Sequence, residues 1–242
     1  MRNVKLVLEY DGTDFRGFQI QPELRTVQGT IESVLQELLS EEIRLTGAGR
    51  TDDGVHACGQ VANFGTSSDM PCHILKRAVN SRLPADIVVR SAEEVPRDFH
   101  SRFSAKSRTY QYNICIVRSP IRRRYAWYVK YNLNTSQMEK AADVFVGTHD
   151  FASFCVAKSA VDESSSVVYS SVWKCEGNAL QYEIEANRFL HNMVRVMVGT
   201  MVDVGRGRHG VEDVAHILET KDRRRAGPTA PPHGLFLVAV KY

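Results

Sequence analysis

From Asn3 to Glu9 the chain sets Val4, Leu6 and Leu8 against Lys5, Val7 and Glu9, the period of two that predicts a strand with one buried face. A polar loop follows from Asp11 to Arg25, broken by Gly12, Gly17 and Pro22. Thr26 stands as an N-cap before Val27, Ile31, Val34, Leu35 and Leu38, whose spacing predicts a helix. Short strands are expected at 43–45 and 60–64, on either side of the loop from Gly47 to His56. A helix over 72–82, with Ile74, Leu75, Ala78 and Val79 as its stripe, and a strand at 87–91 complete the first half. The order β-α-β-β-α-β is that of a ferredoxin-like unit, the plan that also underlies RNA-recognition sheets.

The second half repeats this order with additions. Strands are predicted at 110–117 and 125–130, a helix at 136–146, and a hairpin over 166–186 that turns at Gly177-Asn178. A helix at 188–204, a short helix at 211–218 and a last strand at 235–240 follow, and 220–232 is expected to be a surface loop because Gly227, Pro228, Pro231 and Pro232 cannot sustain a helix. The fold class expected is α+β: two ferredoxin-like, RRM-like units with mainly antiparallel sheets, divided at 1–104 and 105–242, and an active-site cleft between them.

Composition narrows the class. The 242 residues, 43% hydrophobic and 24% charged, suit an ordinary globular chain and argue against disorder. The longest apolar stretch, Met193 to Val204, is interrupted by Arg195 and Asp203 and falls short of the roughly 20 residues of a membrane span. The first residues lack the apolar core of a signal peptide, so the cytoplasm is the expected location. Five cysteines, odd in number and without a C-x-x-C pair, point to reduced, mostly buried thiols rather than disulfides or a zinc ribbon.

Charge is unevenly distributed. Residues 101–130 carry eight cations and no acid, with Arg122, Arg123 and Arg124 adjacent, and Tyr110, Tyr112, Tyr125, Trp127 and Tyr128 are interleaved with them. Cations mixed with π-faces suit a phosphate backbone with exposed bases; the alternative is a solvated loop. A second run, Arg223 to Arg225, lies in the proline-rich segment.

Residues 47–56 read Gly-Ala-Gly-Arg-Thr-Asp-Asp-Gly-Val-His. Glycines on a loop held between strands can fix Arg50, Thr51, Asp52 and Asp53 rigidly, as a reacting carboxylate requires. The alternative is a polar turn in which Asp52 bonds its neighbours. Neither a metal-ligand spacing nor the Gly-Lys-Ser/Thr of a phosphate loop is present, so no metal and no cofactor are expected. On the helix assigned to 188–204, Arg188, His191 and Arg195 fall on one face, and Arg195 sits among Met193, Val194, Val196 and Met197. A guanidinium there needs a partner: Asp52 or Asp53, whose charge it would hold at neutral pH, or a nearby carbonyl or solvent.

The motifs form an ordered series. Glu9-Tyr10-Asp11-Gly12, Gly17-Phe18-Gln19-x-Gln21, Thr26-Val27-Gln28, Gly49-Arg50-Thr51-Asp52-x-Gly54-Val55-His56 and Gly59-Gln60-Val61 occupy the first half. Asn80-x-x-Leu83-Pro84-x-Asp86-Ile87, Phe99-His100-x-Arg102-Phe103-Ser104-Ala105, Arg108-x-Tyr110-x-Tyr112, Asp150-Phe151-x-Ser153-Phe154, Asn187-x-Phe189-Leu190-His191-x-Met193-Val194-Arg195 and Gly234-Leu235-x-Leu237 follow. In these the sequence resembles the TruA family of tRNA pseudouridine synthases along nearly its whole length, departing where Phe18 replaces a frequent Trp and where Asp53 adds a second acid.

The resemblance implies a cofactor-free isomerase acting on uridine in the anticodon stem-loop of tRNA, at positions 38 to 40, and a homodimer. It implies Asp52 as the catalytic carboxylate acting at the ribose, Arg195 as its counter-charge, and Tyr110 as the ring facing the uracil. Arg50 would hold the backbone or fill the gap left by the flipped base, and Leu235 would close the apolar side. Arg122, Arg123 and Arg124 are the expected phosphate contacts. An RNA-binding module alone would explain the cations but not a carboxylate set where it repels phosphate, and a small-molecule enzyme would not need the cations.

Overall fold

The computed structural model describes residues 1–156 and 164–242. In chain order the elements are β1 (Arg2–Tyr10), α1 (Val27–Leu39), β2 (Thr46–Gly47), β3 (His56–Thr66), α2 (Cys72–Asn80), β4 (Ile87–Val95), β5 (Ser107–Cys115), β6 (Trp127–Tyr128), α3 (Thr135–Asp143), β7 (Gly147–Asp150), β8 (Ser165–Glu176), β9 (Ala179–Ala186), α4 (Met193–Gly205), α5 (Val211–Thr220) and β10 (Leu235–Lys241). The chain is mixed α+β, with mostly antiparallel strand pairing. Among the described residues no helix is long and apolar enough to cross a membrane.

Two compact units divide the chain, Met1–Lys106 with Phe236–Tyr242 and Ser107–Leu235. The last strand, grouped by the sequence reading with the second half, thus belongs almost entirely to the first unit. There Phe236 and Leu237 pair in parallel with His56 and Ala57. Such a pairing joins residues about 180 positions apart, and no local pattern announces it.

In the first unit the strands run β4-β1-β3-β10, with β2 also paired to β3. Val4, Leu6, Leu8 and Tyr10 of β1 are all buried, as the alternation requires, and so are Val27, Ile31 and Leu35 of α1 and Leu75 and Val79 of α2. Thr26 caps α1, its Oγ1 accepting from the Gly29 amide at 3.2 Å. The strand expected at 43–45 does not form there. Buried Glu32 takes the Leu45 N–H at 2.8 Å, and Gln28 and Gln36 donate to the Leu45 and Ile43 carbonyls, so α1 side chains occupy the groups a ladder would use. Pairing begins only at Thr46.

In the second unit the order is β5-β9-β8-β7, with β6 parallel to β5. The hairpin turn falls at 177–178 as expected, between β8 and β9. Strand β7 has no counterpart in the sequence reading. The buried face of α4 includes Met193, Met197 and Met201. Residues 220–232 are not wholly a surface loop: Gly227 donates to Thr200 Oγ1 at 2.9 Å, and Gly227 and Ala230 are buried against this unit. Cys115 and Cys155 are buried, Cys72 half-buried, and Cys58 and Cys175 exposed, so the expectation of mostly buried thiols is corrected.

Candidate active site

The loop between β2 and β3 is held from several sides. Tyr10 closes β1 after a register shift between Leu8 and Tyr10, and its hydroxyl meets Thr51 Oγ1 at 2.7 Å. The Thr51 carbonyl accepts from the Phe18 amide at 3.0 Å, and the Asp52 carbonyl accepts from the Val55 amide at 3.1 Å. Gln60 donates to the Gly49 carbonyl at 2.9 Å, and Val61 O accepts from Ala48 N at 2.7 Å. Two glycines of the preceding loop allow this closeness. A Cβ on Gly12 would lie 2.0 Å from the Val55 carbonyl oxygen, and one on Gly17, at φ +84°, would lie 2.9 Å from that of Thr51.

These restraints separate the four side chains of the loop. Thr51 is buried, Asp52 is half-buried, and Arg50 and Asp53 are exposed. Asp53 pairs with Arg16 at 2.9 Å on the surface, so the second acid has a partner of its own. His56 is buried, takes the Gly12 N–H on Nδ1 at 3.0 Å and stacks on Phe236 at 4.6 Å. A nitrogen that accepts there cannot also donate to Asp11 Oδ1, 3.1 Å away, so that contact is proximity rather than an ion pair. The imidazole is thus engaged structurally. Among the described residues no three His, Cys, Asp or Glu side chains are grouped as metal ligands would be. Phe18 lies in the core, close to Gly47 and 6.5 Å from the Tyr10 ring.

In the second unit, Tyr110 stands on β5 opposite Ile184, 8% exposed, with its ring edge-on to Phe189 at 5.0 Å. Arg195 occupies the third position of α4. Its Nε donates to the Ala230 carbonyl at 2.8 Å and Nη1 to Asn192 Oδ1 at 2.6 Å, while Ala230 N donates back to the Arg195 carbonyl at 3.0 Å. The carbonyl partner considered for this guanidinium is therefore present, and it orients the group on its helix. Arg188 and His191 do not share that helix. Asn192 is in the left-handed region at φ 63°, which ends any helix arriving from 188, and α4 starts at Met193. The common face assigned to the three residues is corrected accordingly. Leu235, 5% exposed, opens β10.

Arg122, Arg123 and Arg124 form an exposed 3-10 turn, with exposed Tyr125 and Tyr128 beside it. Arg123 Nη1 donates to Pro120 O at 2.8 Å, which fixes the turn without neutralising the charge. The second basic run differs. Arg223 is spent on the Ala226 and Gly227 carbonyls, and Arg224 is paired with Asp222 at 2.9 Å.

A family model described as tRNA pseudouridine synthase matches residues 6–104 and 141–242. The chain belongs to the tRNA pseudouridine synthase family. It is 43% identical to tRNA pseudouridine synthase A of Exiguobacterium sp. over 242 residues, covering all of this chain and 98% of the relative. It is 46% identical to the protein of that name from Caldicellulosiruptor bescii, with both chains covered completely. The Halalkalibacterium halodurans protein of that name is 46% identical over 98% of this chain and 91% of the relative. The two stretches matched by the synthase family model flank residues 105–140, which hold Tyr110 and the exposed arginine turn; the full-length relatives span them.

The sequence alone assigns no chemical role to Tyr10, Thr51 or Gln60, although all three lie in quoted motifs. The signal was a polar residue at the end of a core-facing alternation. Tyr10 continues the register of Val4, Leu6 and Leu8, so its hydroxyl has to find a partner inside.

Proposed function

We propose that this synthase converts uridine to pseudouridine in the anticodon stem-loop of tRNA, at positions 38 to 40, with Asp52 as its catalytic carboxylate. The observation that carries the assignment to Asp52 is the clamped loop, which leaves that residue half-buried while Asp53 is exposed and paired with Arg16. Asp52 acts at the ribose as the C1′–N1 bond breaks. The uracil turns and C1′ bonds to C5; the C5 proton leaves and N1 gains one. Product and substrate are isomers, so the reaction takes no group donor, oxidant or reductant, and the reading includes no cofactor and no metal.

Arg195, Tyr110, Leu235 and Arg50 serve the same reaction: Arg195 as the cation that keeps the carboxylate ionised, Tyr110 as the ring for the uracil, Leu235 as an apolar wall, and Arg50 as the group that fills the gap left by the flipped base or holds the backbone. Arg122, Arg123 and Arg124 bind phosphate. The antiparallel pairings of β4 with β1, β1 with β3 and β3 with β2 support a ferredoxin-like plan for the first unit, to which β10 adds a parallel strand, and the second half is read as an elaborated repeat. The working species is read as a cytoplasmic homodimer.

The experiment is incubation of the purified protein with an unmodified tRNA transcript and mapping of pseudouridine along it. Product confined to the anticodon arm is expected; product elsewhere only, or none from a folded protein and folded tRNA, overturns the reading.

A further inference from the structure

We propose that the Tyr10 hydroxyl is a positioning group for Asp52, acting through Thr51. The inference rests on the assignment of Asp52 above. Gln60 is fully buried, and its amide is fixed at both ends. Oε1 accepts from the Val61 amide at 3.1 Å, and Nε2 donates to the Gly49 carbonyl at 2.9 Å. On the neighbouring strand the Tyr10 hydroxyl meets Thr51 Oγ1 at 2.7 Å. One buried amide on β3 and one phenol on β1 therefore hold both residues that flank Arg50, and the second of these is joined directly to Asp52.

The clamp is made of sheet, not loop. Tyr10 and Gln60 lie on adjacent antiparallel strands, Gln60 opposite Leu8, and the register shift after Leu8 accompanies the turn of the phenol toward the loop. The Thr51 carbonyl is separately tied to Phe18 N, so Thr51 is fixed through its side chain and its backbone. Burial pushes the Tyr10 hydroxyl up to about 12, which keeps it neutral over the working range of an enzyme. A neutral phenol can orient Thr51 at every such pH and cannot serve as a proton donor or acceptor of varying charge. The arrangement supplies geometry, and misplacement of a reacting group by about 1 Å can cost on the order of a hundredfold in rate.

The test compares Tyr10→Phe, Thr51→Val and Thr51→Ser under single turnover on tRNA. Dissociation constants, thermal midpoints and pH–rate profiles are measured alongside. Tyr10→Phe and Thr51→Val should each lower the rate constant about ten- to a hundredfold, with tRNA affinity unchanged, and Thr51→Ser should restore it. The double variant Tyr10→Phe/Thr51→Val should be no slower than either alone, because both remove one link. The profile should fall in height without moving along the pH axis. A parental rate per folded molecule in Tyr10→Phe, or a Thr51→Val that matches Thr51→Ser, overturns the proposal. So does a loss confined to the thermal midpoint, and Thr51→Ser and Thr51→Val carry the decision if Tyr10→Phe does not fold. If instead Asp52→Asn keeps full turnover, it is the assignment of Asp52 that has failed.

Discussion

The two adjacent acids of the loop have different surroundings, and substitution should separate them. Asp53 holds Arg16 at the exposed surface, where an ion pair contributes at most about 1 kcal/mol, so Asp53→Asn should change turnover and thermal midpoint little. Arg195→Met should lower turnover through loss of the counter-charge, and it also removes the bond to the Ala230 carbonyl, so rate must be read per folded molecule. The sequence singled out both acids, and it left Tyr10 unassigned because nothing in a strand pattern says what a buried hydroxyl touches. The raised Tyr10 value has a consequence for stability. A phenol held near 12 when folded and near 10 when unfolded contributes its full stabilisation below about pH 10 and loses it as the pH rises toward 12. Chemical denaturation measured from pH 8 to 11.5 should show stability falling above about pH 10, less steeply in Tyr10→Phe; equal slopes would contradict the role of burial.

Elements recovered from the sequence are those whose stabilising interactions are local. Thr26→Ala should cost about 1 kcal/mol by removing the bond to the Gly29 amide, and Thr26→Ser should recover most of it; thermal or denaturant melts of the three proteins check this. The cap, the alternation of β1 and the turn at 177–178 were legible because each involves residues a few positions apart. What was not legible depended on distant groups. Glu32 and Gln28 of α1 take the backbone of the segment read as a strand, Asn192 adopts a left-handed conformation that no periodicity marks, and β10 joins β3 across most of the chain. The candidate site follows the same division: the loop carrying Asp52 was legible as glycines around charged residues, but its attachment to two strands was not.

For the molecule as a whole, the proposed function makes charge the means by which tRNA would be held. Eight cations without an acid over 101–130, with Arg122, Arg123 and Arg124 exposed together, predict affinity that falls steeply with salt. Replacing these three by Ala should reduce the salt slope by up to about three, since each phosphate contact contributes roughly one to it; an unchanged slope in filter binding would assign the turn to solvation. An isomerisation also needs no added group, so turnover should survive a chelator once the tRNA is refolded in a monovalent salt that maintains its structure. If Asp52 carries the chemistry, its loss must stop release of tritium from tRNA labelled at uridine C5, followed in a single turnover for the parent and Asp52→Asn. The parent should release tritium, and a folded Asp52→Asn protein that still binds tRNA should release none above background; release by that variant at near the parental rate would contradict the role given to Asp52.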